Sequence, residues 1–292
     1  MVKIIDKIKK NDLDEHYFSF EFFPPKTEAG VQNLYLRMDR MISMQPLFVD
    51  ITWGAGGCTK DLSIGIAEHA QIYFGTDCLL HITCSDLTVA QLKEILKTAK
   101  DVGIQNILAL RGDPAKGARS WKACTGGLDN AFQLVKLIRE EHGDYFCVGV
   151  GGFPEGHPSS PTDPSVEMAY LKQKIDTGAD FILTQFFYDP VVFIDFVSAC
   201  RATGIDCPII PGIMPIQSYS SFEKMTTWCK TRVPVKIWEE LAPIKADDEA
   251  VKAYGIQSCV DMCNTLCKAG VRFFHFHTLN LEKSGMTVLK EL

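Results

Sequence analysis

The segment Asn106-Ile107-Leu108-Ala109-Leu110-Arg111-Gly112-Asp113 passes from a largely apolar run directly into two charged residues and a glycine. The same change recurs where other apolar runs end, at Glu21, at Thr52, at His81 and Thr83, and at Thr184 and Gln185. Each run is typical of a buried strand, and a helical pattern follows each one. In a closed barrel of parallel strands all these strand ends lie on one face, where such barrels build their active sites. The repetition therefore predicts an architecture together with a set of site residues.

Strands and helices alternate along the whole chain, which predicts a single (β/α)8 TIM-type barrel. The connection between strands seven and eight is enlarged, with three helical stretches at 219–229, 235–241 and 247–269 in place of one. A doubly wound open sheet is the structural alternative. The sequence shows no linker or shift in composition, so we expect one catalytic domain over residues 1–292 and no regulatory domain.

Composition excludes several classes of protein. The chain has 292 residues, is 46% hydrophobic and carries a formal net charge of −6, without a block of basic residues, so we expect no nucleic-acid partner. No apolar run approaches the ~20 residues that span a bilayer, and the charged start lacks the core of a secretory signal. Eleven scattered cysteines, an odd number, suit reduced thiols. These features together predict a cytoplasmic protein that does not enter a membrane.

Two carboxylates stand at predicted strand ends. Glu21 lies among phenylalanines, where burial of a charged carboxylate is unfavourable, so we expect its pKa to rise and the residue to act as a general acid. The alternative is a salt-bridged glutamate of the barrel. Asp113 follows Arg111 and precedes a proline, so it is either a ligand-facing carboxylate or part of a turn or an Arg–Asp pair.

Other motifs give weaker indications. His275 and His277 alternate on strand eight and so share a face, but no matching cluster of ligands is visible in the sequence, so packing is favoured and no metal is expected. The glycine-rich loops after strands two and five have Thr59 and Pro154 where a dinucleotide fingerprint needs its third glycine. A nucleotide cofactor would therefore be held without a Rossmann turn. No Gly-x-Ser-x-Gly elbow is present.

Seven ordered segments at strand ends resemble the methylenetetrahydrofolate reductase family over essentially the whole chain, and they look closer to its eukaryotic branch. They are Phe20-Glu21-Phe22-Phe23-Pro24-Pro25-Lys26, Asp50-Ile51-Thr52-Trp53-Gly54-Ala55-Gly56-Gly57, Leu80-His81-Ile82-Thr83-Cys84, Ala109-Leu110-Arg111-Gly112-Asp113-Pro114, Ala179-Asp180-Phe181-Ile182-Leu183-Thr184-Gln185-Phe186-Phe187, Pro211-Gly212-Ile213-Met214-Pro215-Ile216-Gln217, and His277-Thr278-Leu279-Asn280.

The resemblance implies a β/α barrel that binds FAD. It also implies reduction of the flavin by NADPH or NADH, followed by transfer of the hydride to 5,10-methylenetetrahydrofolate, which supplies methyl groups for methionine synthesis. By the same resemblance Glu21 is the general acid, Asp113 lies beside flavin and pterin, and the folate contacts are Gln185, Gln217 and His277. The implied flavin-binding residues are Thr52, His81, Arg111, Gly112, Asp113, Ala131, Phe153, His157, Glu167 and Lys174. The family also forms dimers or tetramers, so a homo-oligomer is expected.

The chain departs from the family's pattern at four positions. Phe153 replaces a tyrosine near the flavin phosphates, and Glu167 stands where aspartate is frequent. His277 replaces the tyrosine at the end of strand eight, and Leu281 replaces an arginine that some members carry. Three alternatives stay open: a proline-dehydrogenase-like flavin barrel, a catalytically silent folate- or flavin-binding barrel, and a metal-dependent barrel hydrolase.

Overall fold

The computed structural model describes residues 1–10, 15–54, 59–113, 121–158 and 163–292. Part of the first glycine-rich loop, Ala55 to Gly57, and Pro114 lie outside these ranges.

Eight parallel strands close into a barrel, in which each strand pairs with its neighbours in sequence and β1 pairs with β8. This closure confirms the predicted (β/α)8 barrel and excludes the open sheet. The strands are β1 Tyr17–Phe22, β2 Phe48–Ile51, β3 Cys78–Thr83, β4 Asn106–Leu110, β5 Cys147–Gly152, β6 Phe181–Phe186, β7 Ile209–Ile213 and β8 Phe273–His277.

The helices surround the barrel and, apart from α1, follow strands as predicted from the apolar periodicity. They are α1 Ile4–Lys10, α2 Glu28–Ile42, α3 Lys60–Tyr73, α4 Val89–Asp101, α5 Ala131–His142, α6 Pro164–Asp176, α7 Pro190–Ala202, α8 Tyr219–Cys229, α9 Val235–Leu241, α10 Asp248–Lys268 and α11 Lys283–Glu291. Helices α8, α9 and α10 all lie between β7 and β8. Among the helices of the described ranges, none combines the length and the apolar character that crossing a bilayer requires.

Three apolar clusters lie among the described residues, and two of them form layers of the barrel itself. The larger layer lies between the strands and the surrounding helices, and it includes Leu34, Leu92 and Ile138. The smaller layer fills one end of the barrel, where Ile4 of α1 packs with the first residues of strands, such as Phe48 and Phe181. Helix α1 therefore closes the amino-terminal end of the barrel, and the opposite end remains for a site.

Strand β5 begins and ends two residues later than the sequence predicts. Tyr145 belongs to a turn, since its backbone N–H donates to the carbonyl of His142 at 3.1 Å. Gly151 and Gly152, which were expected in a loop, continue the strand. A Cβ on Gly152 would stand only 2.6 Å from the side chain of Ile182, so the glycine allows β5 and β6 to approach closely.

Candidate functional site

Five titratable side chains meet at the carboxyl ends of four neighbouring strands. Glu21 is on β1, Asp50 on β2, His81 on β3, and both His275 and His277 are on β8. Parallel pairing sets Glu21 level with Asp50 on one side and with His277 on the other. Because side chains in register point to the same face of a sheet, the pairing brings these residues together inside the barrel.

Ion-pair distances connect the cluster. His277 Nδ1 lies 3.2 Å from Glu21 Oε1, and His81 Nε2 lies 2.8 Å from Asp50 Oδ1. His275 Nε2 lies 3.5 Å from Asp50 Oδ2 and 4.0 Å from Glu21 Oε2, while its Nδ1 is 2.8 Å from the hydroxyl of Ser19. Asp50 and His275 are fully buried. Two carboxylates therefore face three imidazoles in a site largely withdrawn from water.

The expected rise in the pKa of Glu21 is wrong for this arrangement. Burial does favour the neutral acid, but the contacts with His277 and His275 outweigh it, and the pKa of Glu21 lies well below its usual value. The same pairing raises the pKa of His277 against the effect of burial, and Asp50 likewise raises the pKa of His81. Burial lowers the pKa of His275. Of the two interpretations offered for Glu21, its local geometry is that of the salt-bridged glutamate.

The barrel also brings together side-chain atoms around the two histidines that are of the types that bind metal ions. One ligand atom each from Glu21, His275 and His277 lie within 4.8 Å of one another, as do atoms from Glu21, Asp50 and His81. No group matching the histidines is visible in the sequence, whereas in the barrel β1 and β2 supply the carboxylates of Glu21 and Asp50 beside them. We interpret the contacts as ion pairs, since each carboxylate already faces an imidazole.

A second, cationic group lies at the ends of β4 and β5. Lys174 of α6 is buried, and its Nζ donates to the carbonyl of Gly151 at 2.9 Å. Burial lowers the pKa of Lys174 to about 8. The pKa of His157 falls to about 4, through burial and through the nearby charges of Arg111 and Lys174. Three basic side chains predicted to bind flavin are thus neighbours in space, with Glu167 close to them because its carboxylate accepts from the His157 backbone N–H.

The end of β4 is held by a residue that the sequence did not single out. Ser85 Oγ donates to the carbonyls of Arg111 at 3.2 Å and Asp113 at 3.1 Å, and it accepts from Trp121 Nε1 at 3.3 Å. The guanidinium of Arg111 lies over the ring of Trp121, 5.4 Å from its centre. Gly112 has a φ of +86°, so the chain turns sharply here. The carboxylate of Asp113 is on an exposed residue at the rim of the barrel.

The remaining predicted residues lie around the same end of the barrel. Thr52 follows β2, and Ala131 is the first residue of α5. Phe153 stacks edge-on against His157, with ring centres 4.5 Å apart. Gln185 is on β6, and its Oε1 accepts from the Phe186 backbone N–H. Gln217 follows β7, and its Oε1 accepts from Ser284 on α11 at 2.6 Å, so this side chain is directed toward a helix.

The protein is a TIM-type (β/α)8 barrel with an acid–base cluster at the carboxyl ends of its strands. This is the end at which barrels of this class carry their functional sites. Within that class the chain belongs to the methylenetetrahydrofolate reductase family, whose model matches residues 5–292.

Curated relatives support the family over nearly the full chain. A probable methylenetetrahydrofolate reductase (NADH) of Oryza sativa subsp. japonica is 47% identical over 300 residues, covering 100% of this chain and 50% of the relative. A probable NADPH-dependent counterpart of Caenorhabditis elegans is 39% identical, covering 96% of this chain and 43% of the relative. The 5,10-methylenetetrahydrofolate reductase of Pectobacterium carotovorum is 36% identical, covering 90% and 85%. The chain thus spans about half the length of its plant relatives.

Solved structures share the barrel at low sequence identity. A Clostridium thermocellum protein, described as binding two copies of 5-methyl-5,6,7,8-tetrahydrofolic acid, has a TM-score of 0.68 at 15% identity, over 98% of this chain and 97% of that chain. Dihydropteroate synthase of Thermus thermophilus has a TM-score of 0.51 at 11% identity, over 96% of each chain. At these identities the likeness establishes the fold.

Proposed function

We propose that this chain is the catalytic barrel of a methylenetetrahydrofolate reductase. It would reduce 5,10-methylenetetrahydrofolate to 5-methyltetrahydrofolate with NADH or NADPH, through bound FAD in a ping-pong reaction. The observation that carries the proposal is the Glu21 cluster at the carboxyl ends of the strands, in a chain that belongs to this family along nearly its whole length. Family membership argues against the proline-dehydrogenase-like and hydrolase alternatives.

The residues at the ends of β3 to β5 fit a flavin dinucleotide. Lys174 is a buried cation beside two further basic side chains, Arg111 and His157, and such a group favours an anion such as a diphosphate. Within the described ranges, the buried Thr83 Oγ1 and Trp53 Nε1 have no hydrogen-bond partner in the protein, so both remain available to a ligand. The residues that would hold FAD are Thr52, His81, Arg111, Gly112, Asp113, Ala131, Phe153, His157, Glu167 and Lys174. When bound, FAD supplies the capacity to take a hydride from a nicotinamide and give it to a folate.

The chain's own residues would act on the folate in three ways. Glu21 would deliver the proton that the leaving nitrogen needs when the methylene bridge opens. Asp113, an exposed carboxylate at the strand end, would stabilise the cation that forms when the bridge opens. Gln185 and Gln217 offer side-chain amides that can hold the pterin in register, together with His277.

The proposed nicotinamide donor rests on the names of relatives, and the proposed setting of the enzyme rests on the sequence. The rice relative carries NADH in its name and the nematode relative carries NADPH, so either donor is included in the proposal. We also propose that the barrel acts in the cytoplasm as a homo-oligomer and that its product supplies methyl groups for methionine synthesis. A catalytically silent binding barrel is the remaining competitor.

An anaerobic spectrum of the purified protein tests the proposal. NADH and NADPH are added in separate runs to protein loaded with FAD, and methylenetetrahydrofolate follows. Loss of the flavin colour on adding a nicotinamide and its return on adding the folate would support the reductase and identify the donor. Colour that does not return with folate would refute the substrate. Binding of both ligands without any redox change would favour the silent barrel.

A further inference from the structure

We propose that His277 supplies the proton that Glu21 delivers, so that the two side chains work as one acid–base pair with a single transferable proton. The inference rests on the proposed function and gives His277 a second role in it. His277 acts through Glu21 and is therefore a positioning residue for the acid.

The geometry gives the pair a direct path for the proton. His277 Nδ1 is 3.2 Å from Glu21 Oε1, and the two residues are level across the β1–β8 ladder. The other ring nitrogen, Nε2, is buried and has no hydrogen-bond partner among the described residues. Gly212 of β7 leaves room for it, because a Cβ at that position would stand 2.6 Å from Nε2. The ring therefore has one nitrogen committed to the carboxylate.

Charges on β2, β3 and β8 act on the pair in addition to the attraction between Glu21 and His277. Asp50 on β2 raises the pKa of His277, and His81 on β3 opposes it. His275, two residues earlier on β8, lies 4.0 Å from the carboxylate of Glu21. Described residues of β6 and β7 that face the ring, Phe186 and Gly212, carry no titratable group.

The directions of the two pKa shifts favour the proton on the imidazole over the carboxylate. The pKa of Glu21 lies well below its usual value, and that of His277 lies above its ordinary 6.5. A glutamate in this state holds no proton of its own to deliver, whereas the adjacent imidazolium does. The pair thus reconciles a partly buried, ionised Glu21 with a role in general acid catalysis.

The proposed step balances atoms and electrons. The overall reduction needs a hydride, which NADH or NADPH provides, and one proton. A proton first moves from His277 Nδ1 to Glu21 Oε1, so that Glu21 becomes the neutral acid and His277 the neutral imidazole. The bond between the leaving nitrogen and the methylene carbon then breaks, its electron pair stays on that nitrogen, and the same proton passes from Glu21 to it. The hydride then adds to the methylene carbon to form the methyl group, and neutral His277 regains a proton from solvent before the next turnover.

The variant His277→Gln tests the proposal, because glutamine keeps a hydrogen-bonding group beside Glu21 and does not titrate. The folate-dependent reoxidation of reduced enzyme is followed by stopped flow as a function of pH. In the unaltered protein the rate should fall as pH rises through the raised pKa of His277. In the variant the rate at neutral pH should be more than about tenfold lower, and the decline of the rate with rising pH should begin at a lower pH. His142→Gln, at the end of α5, is the matched control.

Two comparisons separate this inference from the proposed function. Reduction of the flavin by the nicotinamide should change by less than about twofold in His277→Gln. An unaltered pH profile for folate reduction in that variant would overturn the role of His277 while leaving the reductase intact. Failure of the unaltered protein to reduce the folate at all would overturn both proposals.

A measurement without turnover tests the pair itself. Ring-nitrogen NMR of the flavin-loaded protein reports the pKa of His277, which should lie above 6.5. In Glu21→Gln this pKa should fall by at least about one unit, since the facing negative charge is gone. A pKa of His277 that is the same in both proteins would contradict the coupling.

Discussion

The backbone nitrogen of His157 lies 3.1 Å from each carboxylate oxygen of Glu167, so the loop after β5 is tied to the first turn of α6. The same helix carries Lys174 about two turns further along, with its Nζ donating to the carbonyl of Gly151. Two contacts from one helix thus hold both the end of β5 and the loop that follows it. Helix α6 therefore positions the basic side chains near His157 together with the strands of the barrel.

Lys174 should couple flavin binding to proton uptake. Its pKa is lowered to about 8 in the ligand-free protein, so the side chain loses its charge above that pH, and a bound anion should raise the pKa again. Flavin affinity should therefore be highest below about pH 8 and decline above it. Calorimetric titration near pH 8.5 in two buffers of different ionisation enthalpy should show net uptake of protons.

Substitution identifies the group responsible for this uptake. Lys174→Met should abolish it and weaken flavin binding by roughly ten- to a hundredfold, the range of a hydrogen bond to a charged group. Lys172→Met, on the same helix and paired with Asp176, should leave both quantities unchanged. Proton uptake that persists in Lys174→Met would assign it to another residue.

Glu21→Gln should separate the two half-reactions. Glutamine fills the same volume but has no acid proton, so folate reduction should fall by about a hundredfold or more, while reduction of the flavin by the nicotinamide should stay within about twofold. Single-turnover absorbance measurements follow each step in turn. Equal losses in both steps would show that Glu21 supports the structure of the site and does not deliver a proton.

Much of the architecture could be predicted from the sequence because strand ends in a barrel are marked locally, by a polar residue after an apolar run. Arg111, directly after β4, and Gln185, the last residue but one of β6, are examples. The sequence predicts a loop at Gly151 and Gly152 because glycines usually mark turns. Their place in β5 is explained by a contact between strands, the close packing of Ile182 on Gly152, which the local sequence does not show.

The electrostatics of the site could not be predicted in the same way. Glu21 and His277 are 256 residues apart in the pair that joins β1 to β8, and Asp50 stands inside an apolar strand of four residues. A single charged residue in so short an apolar run could have marked Asp50 as a site residue. Its pairing with His81 could not be predicted, because His81 is on the next strand. The sign of the pKa shift of Glu21 depends on these contacts across strands, so the aromatic neighbours along the chain gave the wrong direction.

Asp50→Asn should destabilise the barrel in a pH-dependent way. The Asp50–His81 pair is buried, and removing one partner of such a pair costs about 3–5 kcal/mol in free energy of unfolding. Because the pKa of His81 is raised in the folded protein, the stability from this pair is fully present below the ordinary value of 6.5 and is lost as pH rises through the raised value. The loss in Asp50→Asn should therefore be larger at about pH 6 than at about pH 9.

Urea unfolding at the two pH values measures this difference. Asp101→Asn is a suitable control, since Asp101 pairs with Lys97 on the exposed face of α4, and its free energy of unfolding should match that of the unaltered protein. A loss in Asp50→Asn that is the same at both pH values would mean that the His81 charge does not contribute.

Gly112→Ala should disturb the end of β4 through a contact and not only through backbone strain. Gly112 has a φ of +86°, and a Cβ there would stand 2.2 Å from the Ser85 hydroxyl and 2.9 Å from the Cβ of Thr83. Gly103 has a similar φ of +79° with nothing near its Cβ position, so Gly103→Ala measures the strain alone, about 1 kcal/mol. Gly112→Ala should lower the free energy of unfolding by about 1–3 kcal/mol more than Gly103→Ala does. Its flavin affinity should also fall because Arg111 and Asp113 shift. Adding Ser85→Ala should recover part of both losses. Equal stability of the two glycine variants would show that the turn yields to the added methyl group without moving its neighbours.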